Sequence, residues 1–178
     1  TGKGKLFSSG VNLKNFSYSE WKENPLGNIC NKIEKLRIPS ICILNGSVFG
    51  GAFELALACD FRIGHKNIVA RMPPAKIGIN YEPEGIRRII KILGFQATKR
   101  ILILGEQFNA NQLFEMGFLD FLENNESSIE KRLFKIDKFL SDNAPMAVEG
   151  MKKTIMEFFK DNYEEDKARL RVMKCFLS

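Results

Sequence analysis

The sequence predicts an α/β fold that ends in a purely helical region. Three observations carry this. Short apolar runs alternate with helical stretches through the first two thirds of the chain. The run 40–45 shows no polar alternation, as in a strand covered on both faces. After Glu123, three helical stretches follow with no strand between them.

Taken in order, Lys5-Leu6-Phe7 reads as the end of a strand and Ser8-Ser9-Gly10 as a turn. Val11 to Lys14 leaves that turn, and 15–18 reads as a loop. Ile29, Ile33 and Leu36 share one face of a helix over 26–36, which Pro39 ends. The strand 40–45 meets Asn45-Gly46, and the pair Gly50-Gly51 opens a helix reaching to near Cys59. Short strands are expected at 61–64 and 68–72, and Pro73-Pro74 should stop regular structure. The acidic loop Tyr81-Glu82-Pro83-Glu84-Gly85 precedes a helix over 86–93 capped by Gly94, and another over 96–104. A short helix between Asn109 and Gly117 leads to a strand at 118–121. A polar linker (Asn124, Asn125, Ser127, Ser128) then leads into the three C-terminal helices. Their stripes, such as Ile129/Leu133/Ile136 and Met151/Ile155/Phe158, should pack on the body of the chain or on a neighbouring subunit.

The 178 residues suffice for one domain, or one domain with an appendage, around a real core. No run of 18 apolar residues marks a transmembrane helix, and no signal peptide is visible. Residue 1 is Thr and falls inside an expected element, as in a fragment or a processed chain. The net charge of +6, from 27 basic and 21 acidic residues, fits a Lys-rich solvated surface or attraction of an anionic ligand. No basic run or Arg-rich aromatic platform favours nucleic acid. The four cysteines lack metal-site spacing, and Cys42 and Cys59 read as buried thiols, which points to a reducing, cytoplasmic setting. His65 is the one histidine and reads as a turn residue, so no His-rich metal site is expected.

Two glycine turns stand out. They are either ordinary tight turns or a device that brings the Val11 and Gly51 N–H groups to one carbonyl oxygen. A helix start at Gly51 would add its dipole. Glu54 lies one helical turn after Gly51 among apolar neighbours. It is either a solvent-facing glutamate or a poorly solvated one, whose raised pKa suits acid–base work near neutrality.

These residues resemble a family. GKLFSSGVNLKNF, PSICILNGSVFGGAFELALACDFRIG, and MPPAKIGI followed by GFQATKRILILGEQFNANQLFEMGFLD are similar, in order and over nearly the whole chain, to the motifs of the enoyl-CoA hydratase/isomerase (crotonase) superfamily. The resemblance implies a crotonase-like spiral of ββα units with the N-terminal part of its core absent (1–122). A C-terminal helical region (123–178) that builds trimers or hexamers follows. It implies an acyl-CoA thioester substrate in fatty-acyl metabolism, its carbonyl held by the N–H groups of Val11 and Gly51. Ser9, Val11, Asn12, Leu13 and Lys14 match the stretch that contacts coenzyme A, with Lys14 suited to phosphate. Coenzyme A is part of the substrate, and no separate cofactor or metal is implied. The absent N-terminal pattern leaves an organelle open as an alternative to the cytoplasm.

Two departures bear on the reaction. Asn12 stands where the family has an aspartate, a mild change. Pro74 stands where hydratases carry a second glutamate, and proline cannot transfer a proton. Glu82 matches an acidic position of several isomerases, and Glu84 could replace it; both could equally be exposed loop carboxylates. Asp120 matches a structural position. The resemblance thus implies an enzyme in which Glu54, with Glu82, moves protons in enoyl-CoA isomerisation or hydration. The other reading is a catalytically weak member that binds CoA esters or RNA.

Overall fold

The structure, a computed structural model, describes residues 1–12 and 22–177. Two successive units each run strand, strand, helix. The first is β2 (Ile41–Leu44), β3 (Ser47–Phe49) and α2 (Ala52–Leu57). The second is β4 (Phe61–His65), β5 (Val69–Arg71) and, after a 3-10 turn at Pro74–Ile77, α3 (Pro83–Lys99). The first strand of each unit joins one sheet and the second strand joins the other. With β1 (Leu6–Ser8), β6 (Gln107–Asn109) and β7 (Phe121–Glu123), the sheets have the orders β1-β3-β5-β6 and β2-β4-β7. The β2-β4-β7 sheet is parallel throughout, and only β6 runs antiparallel in the other. The expected α/β architecture with a helical C-terminal region is what the chain adopts.

Strand β2 is covered on both faces, as its unbroken apolar run requires. Cys42 and Leu44 belong to the main core with Val48, Phe53, Ile89 and Phe118. Ile41 and Ile43 face a second cluster formed by Ile63, Ile129 and Ile136. The second cluster is where α5 (Glu126–Ser141) packs on the sheet. Helices α6 (Pro145–Phe159) and α7 (Glu165–Phe176) complete the described chain. Lys152 of α6, itself buried, donates to the Ile38 carbonyl at 2.9 Å and to Asp60 at 2.6 Å.

Helix α1 (Pro25–Glu34) is started by Asn24, whose side chain accepts from the Gly27 N–H at 3.0 Å, with proline in the first turn. Gly94 breaks α3 with φ 80° and ψ 168°, so the two expected helices meet there, and a π turn (Arg100–Leu104) extends the second. Helix α4 (Ala110–Glu115) starts with the reciprocal Asn109–Gln112 capping box.

Several expectations need correction. Strand β5 stops at Arg71, before Pro73-Pro74, but irregular chain does not follow: Pro74 opens the 3-10 turn, where its missing N–H costs nothing. The strand expected at 118–121 starts at Phe121, because the Phe118 and Leu119 N–H groups close α4 on the Leu113 carbonyl. The polar linker is largely helix: Asn125 caps α5 by accepting from the Ser128 N–H at 3.0 Å. Strands β3 and β6, three residues each, are too short to show a periodicity.

Candidate active site

Strands β1 and β3 pair in parallel, Leu6 beside Ser47 and Ser8 beside Val48. The turns that leave them therefore lie side by side. Gly10 has φ 94° and Gly50 has φ 60°, conformations that glycine adopts without a Cβ clash. A Cβ on Gly10 would stand 3.1 Å from the Phe49 carbonyl, and one on Gly50 would stand 3.4 Å from the Gly10 Cα. The two turns touch, and Val11 and Gly51 are the residues that follow them. The Gly50 N–H is used by the Arg71 carbonyl at 3.0 Å. Among the described residues, no acceptor engages the N–H of Val11 or of Gly51. Gly51 is the N-cap of α2, but that helix has only six residues, so the local N–H groups rather than a long dipole shape the site.

A cavity of about 630 Å³ opens beside these turns. Ser9, Gly10, Val11, Gly50 and Gly51 border it on one side, and Glu54, Tyr81 and Glu82 on another. Leu26, Ile29, Met72, Pro74, Ile77 and Ile79 supply apolar wall. Asn12 is exposed, and Leu13 and Lys14 lie outside the described residues.

Glu54 is 2% exposed, which disposes of a solvent-facing glutamate. It is not the unpartnered carboxylate its apolar neighbours suggest. The Arg88 guanidinium donates to its Oε1 through Nη1, and the Tyr81 hydroxyl donates to its Oε2. Gly85 explains how α3 comes this close. A Cβ there would meet Tyr81 Cε1 at 2.5 Å and Glu54 Oε2 at 2.9 Å, so the tyrosine–glutamate pair occupies the space a side chain would need.

Arg88 is 1% exposed, among the largest fully buried side chains. Its Nε donates to Glu34 Oε1 at 2.5 Å and its Nη2 to Asn31 Oδ1 at 3.0 Å. Burial alone would lower its pKa, but the hydrogen bond and charge of Glu34, joined by the charge of Glu54, hold it above the ordinary value. Burial, then the Glu54 charge, raises the Tyr81 phenol well above its usual range, so it is a donor and not a phenolate. The same two causes push the Cys30 thiol up to about 12.

Glu82 and Glu54 thus border one cavity, and the carboxylate of Glu82, half-buried at the start of α3, makes no hydrogen bond among the described residues, while its carbonyl accepts from the Ile86 N–H at 3.0 Å. Glu84 instead faces Arg87 at 3.3 Å and is exposed. Pro74 borders the cavity at the position where the resemblance implies a second glutamate in hydratases. Asp120 pairs with Arg62 at 2.7 Å and is structural. His65 is buried at the end of β4, with Nε2 3.4 Å from the Asn45 carbonyl and Nδ1 3.3 Å from the Asn67 N–H. Cys42 is buried, and Cys59 is only partly so. The neighbouring Cys42 thiol, against the effect of burial, holds Cys59 below its ordinary value, and the Cys59 Sγ donates to the Leu55 carbonyl at 3.8 Å. Among the described residues no three His, Cys, Asp or Glu side chains are placed to hold a metal ion, and no helix is long and apolar enough to cross a membrane.

Sequence reading missed Tyr81 and Arg88. The hydroxyl at the mouth of α3 and the arginine one helical turn after Gly85 were visible, but nothing local says that both converge on Glu54.

Known proteins share this arrangement of elements. The family model for enoyl-CoA hydratase/isomerase matches residues 1–175. An enoyl-CoA isomerase/hydratase of Mycosarcoma maydis is 32% identical over 158 residues, covering 85% of this chain and 57% of that protein. A probable mitochondrial enoyl-CoA hydratase 2 of Arabidopsis thaliana is 28% identical over 162 residues, covering 88% of this chain and 54% of that protein. The chain thus spans a little over half the length of these relatives. A solved enoyl-CoA hydratase/isomerase family protein from Hyphomonas neptunium superposes with a TM-score of 0.89 at 22% identity, over 99% of this chain and 70% of that one, which shows the fold. The chain belongs to the enoyl-CoA hydratase/isomerase family.

Proposed function

We propose that this chain carries the active site of an acyl-CoA enzyme that stabilises a thioester enolate and shifts the double bond of an enoyl-CoA. One observation carries the reading: Val11 and Gly51, whose N–H groups are unengaged among the described residues, border the same cavity as the buried Glu54. The N–H pair would take the thioester oxygen, whose charge grows as the enolate forms. Losing one such donor typically costs about 3–4 kcal/mol of transition-state stabilisation. Glu54 would remove a proton from the carbon between the thioester and the double bond and return it two carbons further on. One carboxylate suffices for this, and Pro74 leaves that cavity wall without a second one. Ser9, Val11, Asn12, Leu13 and Lys14 would bind the coenzyme A portion, which enters as part of the substrate; the chemistry needs no further cofactor.

Hydration is the second reading, and Glu82 favours it. A second carboxylate on the same cavity could orient water while Glu54 delivers the proton. A substrate panel separates the two. Isomerisation is expected to convert a 3-enoyl-CoA to its 2-enoyl isomer, with little 3-hydroxyacyl-CoA formed from crotonyl-CoA. Fast hydration of crotonyl-CoA would overturn that choice. Binding of CoA esters with no turnover of any panel member would support a binding protein instead.

The residues of α6 and α7 left uncovered, Met151, Ile155, Phe158, Val172 and Phe176 among them, fit assembly into a homotrimer or hexamer. Sedimentation of the intact protein tests this.

A further inference from the structure

Four buried or partly buried side chains from four elements form a line of alternating charge. Lys160 closes α6 and lies 2.7 Å from Glu34 Oε2, with the geometry of an ion pair rather than of an aligned hydrogen bond. Glu34 ends α1 and takes Arg88 Nε on its other oxygen at 2.5 Å. Arg88, in the second turn of α3, reaches Glu54 of α2. The end of α6 is clamped to α3: Lys91 donates to the Phe159 carbonyl and to Asp161, and Arg87 Nη1 lies 3.4 Å from the same carbonyl.

One guanidinium therefore serves two buried carboxylates. Whatever neutralises Glu34 from its far side leaves more of the Arg88 charge for Glu54. We propose that Lys160 and Glu34 are positioning residues for Glu54, setting through Arg88 how firmly its carboxylate is held and tying the site to the docking of the C-terminal helices. This rests on the reading of Glu54 as the proton-moving group.

The other groups around Glu54 do not supply that charge. Cys30 of α1 and Tyr81, before α3, stay neutral near pH 7, and Glu82 across the cavity carries the same sign as Glu54. Among the described residues, Arg88 is the cation in contact with Glu54. Burial alone would raise the Glu34 carboxyl, but Arg88 and Lys160 outweigh it and hold the group below its ordinary 4.5, consistent with both cations acting on it.

The test is a titration that does not depend on turnover. Intact protein labelled with carbon-13 at the glutamate carboxyls is followed by NMR, the Glu54 signal being the one absent from Glu54→Gln. Lys160→Met should move the Glu54 midpoint up by about 0.5–1 pH unit, because Glu34 then draws on Arg88. Glu34→Gln should move it down, because Arg88 is left to Glu54. The double variant should match Glu34→Gln, since Lys160 acts through Glu34, and Lys160→Arg should match the parent. An unmoved midpoint in Lys160→Met, an upward move in Glu34→Gln, or simple additivity in the double variant overturns the proposal. Should Lys160→Met loosen α6 in thermal melts, the direction of the Glu34→Gln shift decides alone. The pH profile of 3-enoyl-CoA isomerisation should follow the same order. Its absence in the parent protein would sink the enzyme reading and leave the titration result standing.

Discussion

Arg88 and Glu54 are ion-paired with side chains 1% and 2% exposed, 34 residues apart in sequence. Such a pair is costly to break, because removing one partner leaves the other charge buried. Arg88→Met would leave Glu34 and Glu54 facing each other without their shared cation. The expected loss is about 3–5 kcal/mol, read by denaturant unfolding. Arg88→Lys should recover only part of it, since an ammonium cannot reach Glu34, Glu54 and Asn31 as a fork does.

Tyr81→Phe removes the donor to Glu54 Oε2 and leaves that oxygen without its partner. The expected cost in stability is about 1–3 kcal/mol, with a larger fall in kcat than in substrate binding. Unchanged kcat would mean that the phenol only fills space.

Gly85→Ala tests packing at the same point. Its Cβ would fall 2.5 Å from Tyr81 and 2.9 Å from Glu54, and Glu54 is fixed by Arg88, so neither neighbour can move freely. About 1–3 kcal/mol of destabilisation is expected from overpacking. A melting temperature equal to the parent's would contradict the geometry described for this pair.

The touching turns make a separate demand. Gly10→Ala and Gly50→Ala each put a side chain on a left-handed backbone, at φ 94° and 60°. Each should displace the N–H that follows it, so kcat/KM is expected to fall about 10²–10³-fold, the scale of one lost oxyanion donor.

Acid stability follows from Glu34. Its folded carboxyl lies below 4.5, so its contribution to stability is fully present above that pH and is lost as pH falls through the folded value. Melting temperature should drop over that acid window in the parent and drop less in Glu34→Gln.

Much of this was legible in the residues. Gly50-Gly51 between an apolar run and a helix marked the strand–turn–helix, and the buried run at Ile41–Leu44 marked a strand covered on both faces. That Val11 belongs beside Gly51 followed from the resemblance; its physical cause, the parallel pairing of β1 with β3, has no local signature. The partners of Glu54 were illegible for the same reason. Arg88 reads as one more basic residue on an amphipathic helix, and Glu34 as an ordinary helix end, until the fold brings α1, α2 and α3 to one point. Pro73-Pro74 reads as a stop, and β5 does end before it, but the 3-10 turn that follows has no sequence signal of its own, since Pro74 occupies a first turn where no N–H is needed.

Enolate formation at Glu54 is most directly measured by hydrogen exchange. A saturated acyl-CoA incubated with the protein in deuterium oxide should take up deuterium at the carbon beside the thioester, read by mass spectrometry. Glu54→Gln should slow that uptake about 10²–10⁴-fold while still binding the ester. Equal uptake in the two proteins, or none in the parent at saturating ester, would contradict the assignment of Glu54 and of the oxyanion-holding pair.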